Sequence, residues 1–259
     1  MEKSRSGRKI RSVQILGLAG LPEIRPGDDL AALIFNRCQA SGFLLEPGDI
    51  CIITHKVVSK AEGAILDLKT IHPSPFAVDL SRRLGKDPRL LEVILRESRR
   101  IVRMDRDIMI CETKHGLICA NAGVDQSNIP GGNRVSVLPA DPDRSAHRLV
   151  GRLRRLFKFH IPVIITDTFG RPWREGLTNV AIGVAGFDPL VDYRGEKDPC
   201  GYVLRKTIIA IADEMASAAE LVMGKTQRIP VAILRGYPYR RAKMGSRALL
   251  RSPERDLFR

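Results

Sequence analysis

Two short apolar runs constrain this chain most: ICIITHKVV after Gly48-Asp49, and IPVIITD at 161–167. Neither alternates apolar with polar residues, and both are rich in β-branched side chains. Such runs suit strands buried on both faces, which need helices to cover them. Helices are predicted from an Asp28 or Asp29 cap to about Gln39, near Phe76–Leu84 and Pro88–Arg99, and from Asp141-Pro-Asp to about Phe159. The clearest helical pattern spans Tyr202–Met223. There Ile208, Ile211, Met215, Ala218, Ala219 and Val222 form one apolar stripe, and Gly224 stands where a C-capping glycine belongs. Further strands are expected at Ser12–Leu18, Asn179–Val184 and Ile229–Leu234. Asp107–Thr113 and Leu117–Ala122 read as a hairpin through Lys-His-Gly. The pattern mixes α and β elements without repeats or an internal linker.

Charge decides between the partners such a chain could have. Lys plus Arg number 43 against 29 acids. The excess concentrates at the ends: residues 1–11 hold five basic residues and one acid, and Arg235–Arg259 holds eight and two. A nucleic-acid-binding reading would rest on those ends. Aromatic residues are only 5%, and no basic–aromatic interleaving or recognition motif occurs, which argues against it. The five cysteines have no CxxC spacing, so buried free thiols in a reducing cytoplasm are expected rather than disulfides or zinc. No apolar run approaches a membrane span, and no signal-peptide pattern opens the chain.

Three polar segments leave these apolar runs. In Thr54–Gly63, Lys56 and Lys60 read either as solvated lysines or as ammonium groups gripping phosphates. In Asn121–Asn128, Asp125 sits among acceptor-rich neighbours, either as a plain turn or as a ligand for a hard divalent cation. In Thr166–Gly176, Asp167 is expected at the C-terminal end of a buried strand, where open α/β sheets bind ligands. Asp167 and Thr168 can offer a carboxylate and a hydroxyl to magnesium or manganese. Arg171 and Arg174 flank the only tryptophan and suit carboxylate or phosphate, or else brace the turn. Ala219–Thr226 imitates a phosphate-binding loop, but it lacks the first glycine and follows a helix, so that reading is rejected. No protein nucleophile stands out. The chemistry on offer is metal plus nucleotide phosphates.

The segments GLPEIRPGDDL, HKVVSKAEG, CANAGVDQSN, DPDRSA, ITDTFGRPWREGLTNVAIGVAGF, DYRG and ELVMGK occur in this order. Together they resemble the coenzyme F420-0:L-glutamate ligase family, in its stand-alone form, over about Val13–Gly236. The resemblance implies an α+β fold, an intertwined homodimer and GTP-dependent ligation of L-glutamate to the deazaflavin precursor F420-0 through an acyl phosphate. It also implies a divalent metal (Mg2+ or Mn2+) and K+. Motif by motif, Leu21, Pro22, Glu23, Ile24, His55, Lys56, Lys60, Asn128, Met223, Gly224 and Lys225 correspond to nucleotide contacts. Asp125, Asp167 and Thr168 correspond to metal ligands. Lys60, Arg171 and Arg174 are the candidates for handling the reacting groups. A protonated Lys225 cannot itself ligate a metal. The implied organisation is a basic tail at 1–11, a ligase core at 12–236 and a basic tail at 237–259. A ligase of the same scaffold with another amino acid or acceptor is the alternative, since no residue above reads the amino acid.

Overall fold

In the computed structural model, which describes residues 11–129 and 131–257, the two apolar runs lie side by side as parallel strands. Residues 1–10 of the basic N-terminal stretch lie outside the described residues. In chain order the elements are β1 (Gln14–Gly17), α1 (Leu30–Ser41), β2 (Ile50–Thr54), α2 (His55–Ala61), β3 (Ile65–Asp67), α3 (Pro75–Leu84) and α4 (Pro88–Glu97). There follow β4 (Ser98–Asp105), β5 (Ile108–Thr113), β6 (Ile118–Ala120), β7 (Arg134–Ser136), α5 (Pro142–Phe157), β8 (Val163–Arg171) and β9 (Arg174–Ala185). The last are β10 (Val191–Asp192), β11 (Ile208–Ile209), α6 (Ile211–Met223) and β12 (Val231–Arg235).

The main sheet has the order β1-β12-β2-β8-β9, with β2 and β8 as its parallel pair. Successive residues of β2 and β8 enter opposite cores. Ile53, Val163 and Ile165 pack with Ile34 of α1 and Leu153 of α5, while Ile52 and Ile164 pack with Met215 and Ala219 of α6. That is why neither run alternates: both faces are dry. Each fully buried isoleucine contributes about 1.5–3 kcal/mol. A third cluster, including Leu80, Leu91, Ile94 and Met109, joins α3 and α4 to the sheet β4-β5-β6. The mixed α and β architecture agrees with the sequence expectation.

Caps delimit the helices. Asp29, Ser74, Asp87 and Asp141 each accept a backbone N–H from the first turn, and proline opens α3, α4 and α5. Three boundaries differ from the sequence pattern. The run ICIITHKVV is a strand only to Thr54, whose hydroxyl accepts the Lys56 N–H and starts α2, so Val57 and Val58 are buried in a helix. The expected helix from Tyr202 begins at Ile211. Ile208 and Ile209 pair instead with Asp192 and Val191, and Asp213 and Glu214 form the acidic first turn. Asp167 is not at the end of its strand, because β8 continues to Arg171 in a hairpin with β9. Its pairing with β2, however, ends at Thr166.

Among the described residues β9 is an edge of the main sheet, and side chains engage its backbone. Asp213 accepts from Ala181 N–H and Asp143 from Val184 N–H, while Ser217 and Ser246 donate to the carbonyls of Asn179 and Ile182. Ser246 belongs to the chain after β12, which packs back on the core. Tyr239 lies against the rings of Phe187 and His160, and Arg240 pairs with Asp188.

Candidate active site

The register of the parallel pair builds the centre of the site. Its last matched residues are Thr54 and Thr166, so the next residues along the chain are His55, the first of α2, and Asp167. His55 Nε2 lies 3.2 Å from Asp167 Oδ1, with the imidazole 2% exposed and the carboxylate 14%. Asp167 Oδ1 also accepts from Thr168 N–H at 2.7 Å. Immediately before Asp167 the pairing with β9 slips: Ile165 faces Gly183 and Thr166 faces Ala181, leaving Ile182 as an extra residue. Such bulges re-aim neighbouring side chains. His55 Nδ1 and Thr166 Oγ1 are buried without a hydrogen-bond partner among the described residues.

Lys56, the residue after His55, pairs with a second carboxylate. Its Nζ lies 2.6 Å from Asp125 Oδ2 and also donates to Ser127 Oγ. Ser127 in turn donates its N–H to Asp125 Oδ1 and its hydroxyl to Oδ2. Burial pushes Asp125 upward, but the Lys56 ammonium and the Ser127 donors outweigh it and hold the carboxyl below its ordinary 3.8. The segment before it is strained. Asn121 and Ala122 both have positive φ, 51° and 53°, ahead of Gly123. Burial, with the Asp167 charge adding to it, pushes the Cys119 thiol up to about 12.

Lys60, one turn further along α2, meets Glu23 Oε1 at 2.5 Å, which ties α2 to the Leu21–Ile24 turn. Ile24 is a buried core residue, Leu21 packs on the same core, and Pro22 and Glu23 are exposed.

Thr168 faces the other side of the sheet. Its hydroxyl donates to Asn179 Oδ1 at 2.7 Å and accepts from Lys225 Nζ at 2.6 Å. Lys225 also pairs with Glu220 at 3.0 Å, and Asn179 Nδ2 donates to the same carboxylate. Gly224 ends α6 at φ 55° and ψ −173°, where a Cβ would run into the Gln227 amide. Met223 is buried in the core under α6.

Arg171 and Arg174 face each other across the turn of the β8–β9 hairpin, exposed, with Arg171 donating to the Glu175 carbonyl. Asn128 is an exposed turn residue with φ 58°. The structure thus gathers His55, Lys56, Asp125 and Asp167 at one sheet end, ties Lys60 to Glu23, and joins Thr168 to Lys225. Among the described residues no side-chain hydrogen bond or ion pair joins Arg171, Arg174 or Asn128 to those groups. Sequence reasoning missed Asn179, Glu220 and Ser127. Their partners lie on other elements or in a turn, and no spacing marks them.

Hard oxygen donors suited to magnesium or manganese are present. Asp125 is half-buried with a lysine as its counter-charge, and Asp167 Oδ2 accepts no hydrogen bond among the described residues. No group of three or more His, Cys, Asp or Glu side chains forms a metal cage among the described residues. A divalent ion at Asp125 therefore requires Lys56 to move. On that condition Asp125 and Asp167 each offer carboxylate oxygens of the kind such an ion takes.

Two lysine- or histidine-paired carboxylates thus stand where a parallel strand pair ends, the place at which open α/β sheets bind ligands. The chain belongs to the F420-0:gamma-glutamyl ligase family, whose profile matches residues 20–236. A coenzyme F420:L-glutamate ligase of Methanopyrus kandleri is 52% identical over 92% of this chain and 94% of its own length. Enzymes of the same name from Methanothermobacter thermautotrophicus and Methanocaldococcus jannaschii are 46% and 42% identical. The alignments cover 95% and 96% of this chain, and 99% and 98% of those enzymes.

Proposed function

We propose that this chain is a GTP-dependent ligase that joins L-glutamate to F420-0. Membership of the ligase family supports the reaction class. The observation that carries the chemistry is the pairing of His55–Lys56 with Asp167 and Asp125 at the end of β2 and β8. It sets two carboxylates and an ammonium where a triphosphate and an acceptor carboxylate could meet.

In this reading the carboxylate of F420-0 attacks the γ-phosphorus of GTP, the bond to the β-phosphate oxygen breaks, and GDP leaves. The glutamate amine then adds to the acyl carbon. The acyl carbon–oxygen bond to phosphate breaks, the departing phosphate takes up the amine's proton, and an amide remains. Lys60 releases Glu23 and binds phosphate oxygens, and Lys56 leaves Asp125 for the same purpose. Preorganised ammonium groups stabilise the charge that develops on the transferring phosphoryl group. His55 fixes Asp167. Asp125 and Asp167 would hold a divalent ion, which when bound would neutralise phosphate charge. Arg171 and Arg174, exposed on their hairpin, are proposed to meet a carboxylate of acceptor or glutamate once substrates bind. Potassium as an activator, a cytoplasmic location and a homodimer belong to the same proposal. Among the described residues no helix is long and apolar enough to cross a membrane. The test is mass spectrometry of products formed from GTP, Mn2+, glutamate and F420-0.

A further inference from the structure

Thr168, Asn179, Glu220 and Lys225 close a ring of four side chains drawn from β8, β9, α6 and the turn after α6. The distances are 2.7 Å from Thr168 Oγ1 to Asn179 Oδ1, 2.8 Å from Asn179 Nδ2 to Glu220 Oε2, 3.0 Å from Glu220 Oε1 to Lys225 Nζ, and 2.6 Å from that Nζ back to Thr168 Oγ1. Each hydrogen-bonding direction is determined. The ammonium can only donate, so Thr168 Oγ1 accepts from it and spends its single proton on Asn179 Oδ1. The Asn179 amide then presents its nitrogen to Glu220. Asn179 is 3% exposed, so the amide at the centre of the ring is held by its surroundings.

Hydroxyl and carboxylate oxygens turned toward one cation are the donor set of a hard metal ion. Here the cation is part of the chain. The turn at Gly224 brings the lysine back over the strand, one residue beyond Asp167.

We infer that Lys225 supplies a built-in positive charge at Thr168, in the place of a metal ion, and that Thr168 is not a divalent-metal ligand in this chain. The divalent site is then confined to the His55 face of the sheet, at Asp125 and Asp167. The α6 face carries a tethered cation that no chelator removes. Exchanging the ammonium for a carboxylate completes a cation site with Thr168 and Glu220.

The inference deepens the ligase reading, but it is tested by counting metal on the protein alone, so its failure is separate from a failed glutamylation assay. Mn2+ binding is followed by electron paramagnetic resonance of free Mn2+ during titration of the full chain. Four variants are compared with it: Thr168→Val, Lys225→Glu, Lys225→Arg, and Lys225→Glu combined with Thr168→Val. Circular dichroism confirms that each is folded. The native chain, Thr168→Val and Lys225→Arg are expected to bind the same number of Mn2+ ions, with dissociation constants within about two-fold. Lys225→Glu is expected to bind one further ion per chain, and the double variant to lose it. Two results overturn the inference: a Mn2+ ion lost, or bound more than about ten-fold more weakly, in Thr168→Val alone, or no additional ion in Lys225→Glu.

Discussion

His55 Nε2 and Asp167 Oδ1 stand 3.2 Å apart because they are the first residues past the last matched pair of two parallel strands. Strand register therefore sets the geometry of the proposed centre. The imidazole is buried at the start of α2. It holds the carboxylate in one orientation.

Replacing His55 tests that positioning role. His55→Leu fills the buried volume but removes the donor. Groups that orient a ligating side chain typically matter about 10–100-fold for metal affinity or activity. The expected outcome is a loss of that size in the Mn2+ concentration dependence of turnover, with His55→Gln recovering part of it. A role in packing alone would instead lower the melting temperature of His55→Leu and leave the Mn2+ dependence unchanged.

Asp125 gives a pH dependence of defined sign. Its folded carboxyl lies below the ordinary 3.8, since Lys56 and Ser127 outweigh burial. A lowered carboxylate stabilises the fold above its unfolded value, and that stability is lost as pH falls from 3.8 through the folded value. Urea unfolding of the native chain should therefore weaken more steeply below about pH 4 than unfolding of Asp125→Asn. Parallel acid limbs in the two proteins would show that the Lys56 contact does not persist in solution.

Lys60 is proposed to exchange Glu23 for phosphate. Lys60→Met keeps the aliphatic stem and removes the charge. A charge-assisted hydrogen bond contributes about 1.5–3 kcal/mol, so GTP affinity should fall by roughly 10- to 150-fold with little change in melting temperature. Wild-type affinity by calorimetry would remove Lys60 from the nucleotide site.

Gly183 allows the helix-to-sheet approach beside the bulge. A Cβ there would lie 2.6 Å from the Pro142 carbonyl oxygen at the start of α5, and backbone cannot yield as a flexible side chain can. Gly183→Ala should cost about 1–3 kcal/mol, read as a lower melting temperature. An unchanged melting temperature would mean that α5 and β9 sit further apart than described.

Much of the core and part of the site could be read from the chain. The unalternating apolar runs announce doubly buried strands, and Ser74, Asp87 and Asp141, each followed by proline, mark the starts of α3, α4 and α5. Asp125 and Asp167 stand out because carboxylates follow apolar strands. What stayed hidden is contact between distant segments. Nothing at Lys225 points to Thr168, 57 residues earlier, or at Asn179 to Glu220, 41 residues later. β4 was hidden for another reason. Its SRRIVRMD exposes arginines on an edge strand, so it reads as a polar extension of α4.

Purified protein is incubated with GTP, Mn2+, L-glutamate and F420-0, and the deazaflavin product is weighed by mass spectrometry beside a reaction lacking GTP. The account predicts a product heavier by one glutamyl residue, formed with release of GDP and phosphate only when GTP is present. Unmodified F420-0 from a folded protein that binds GTP, or the same product formed without nucleotide, would contradict it.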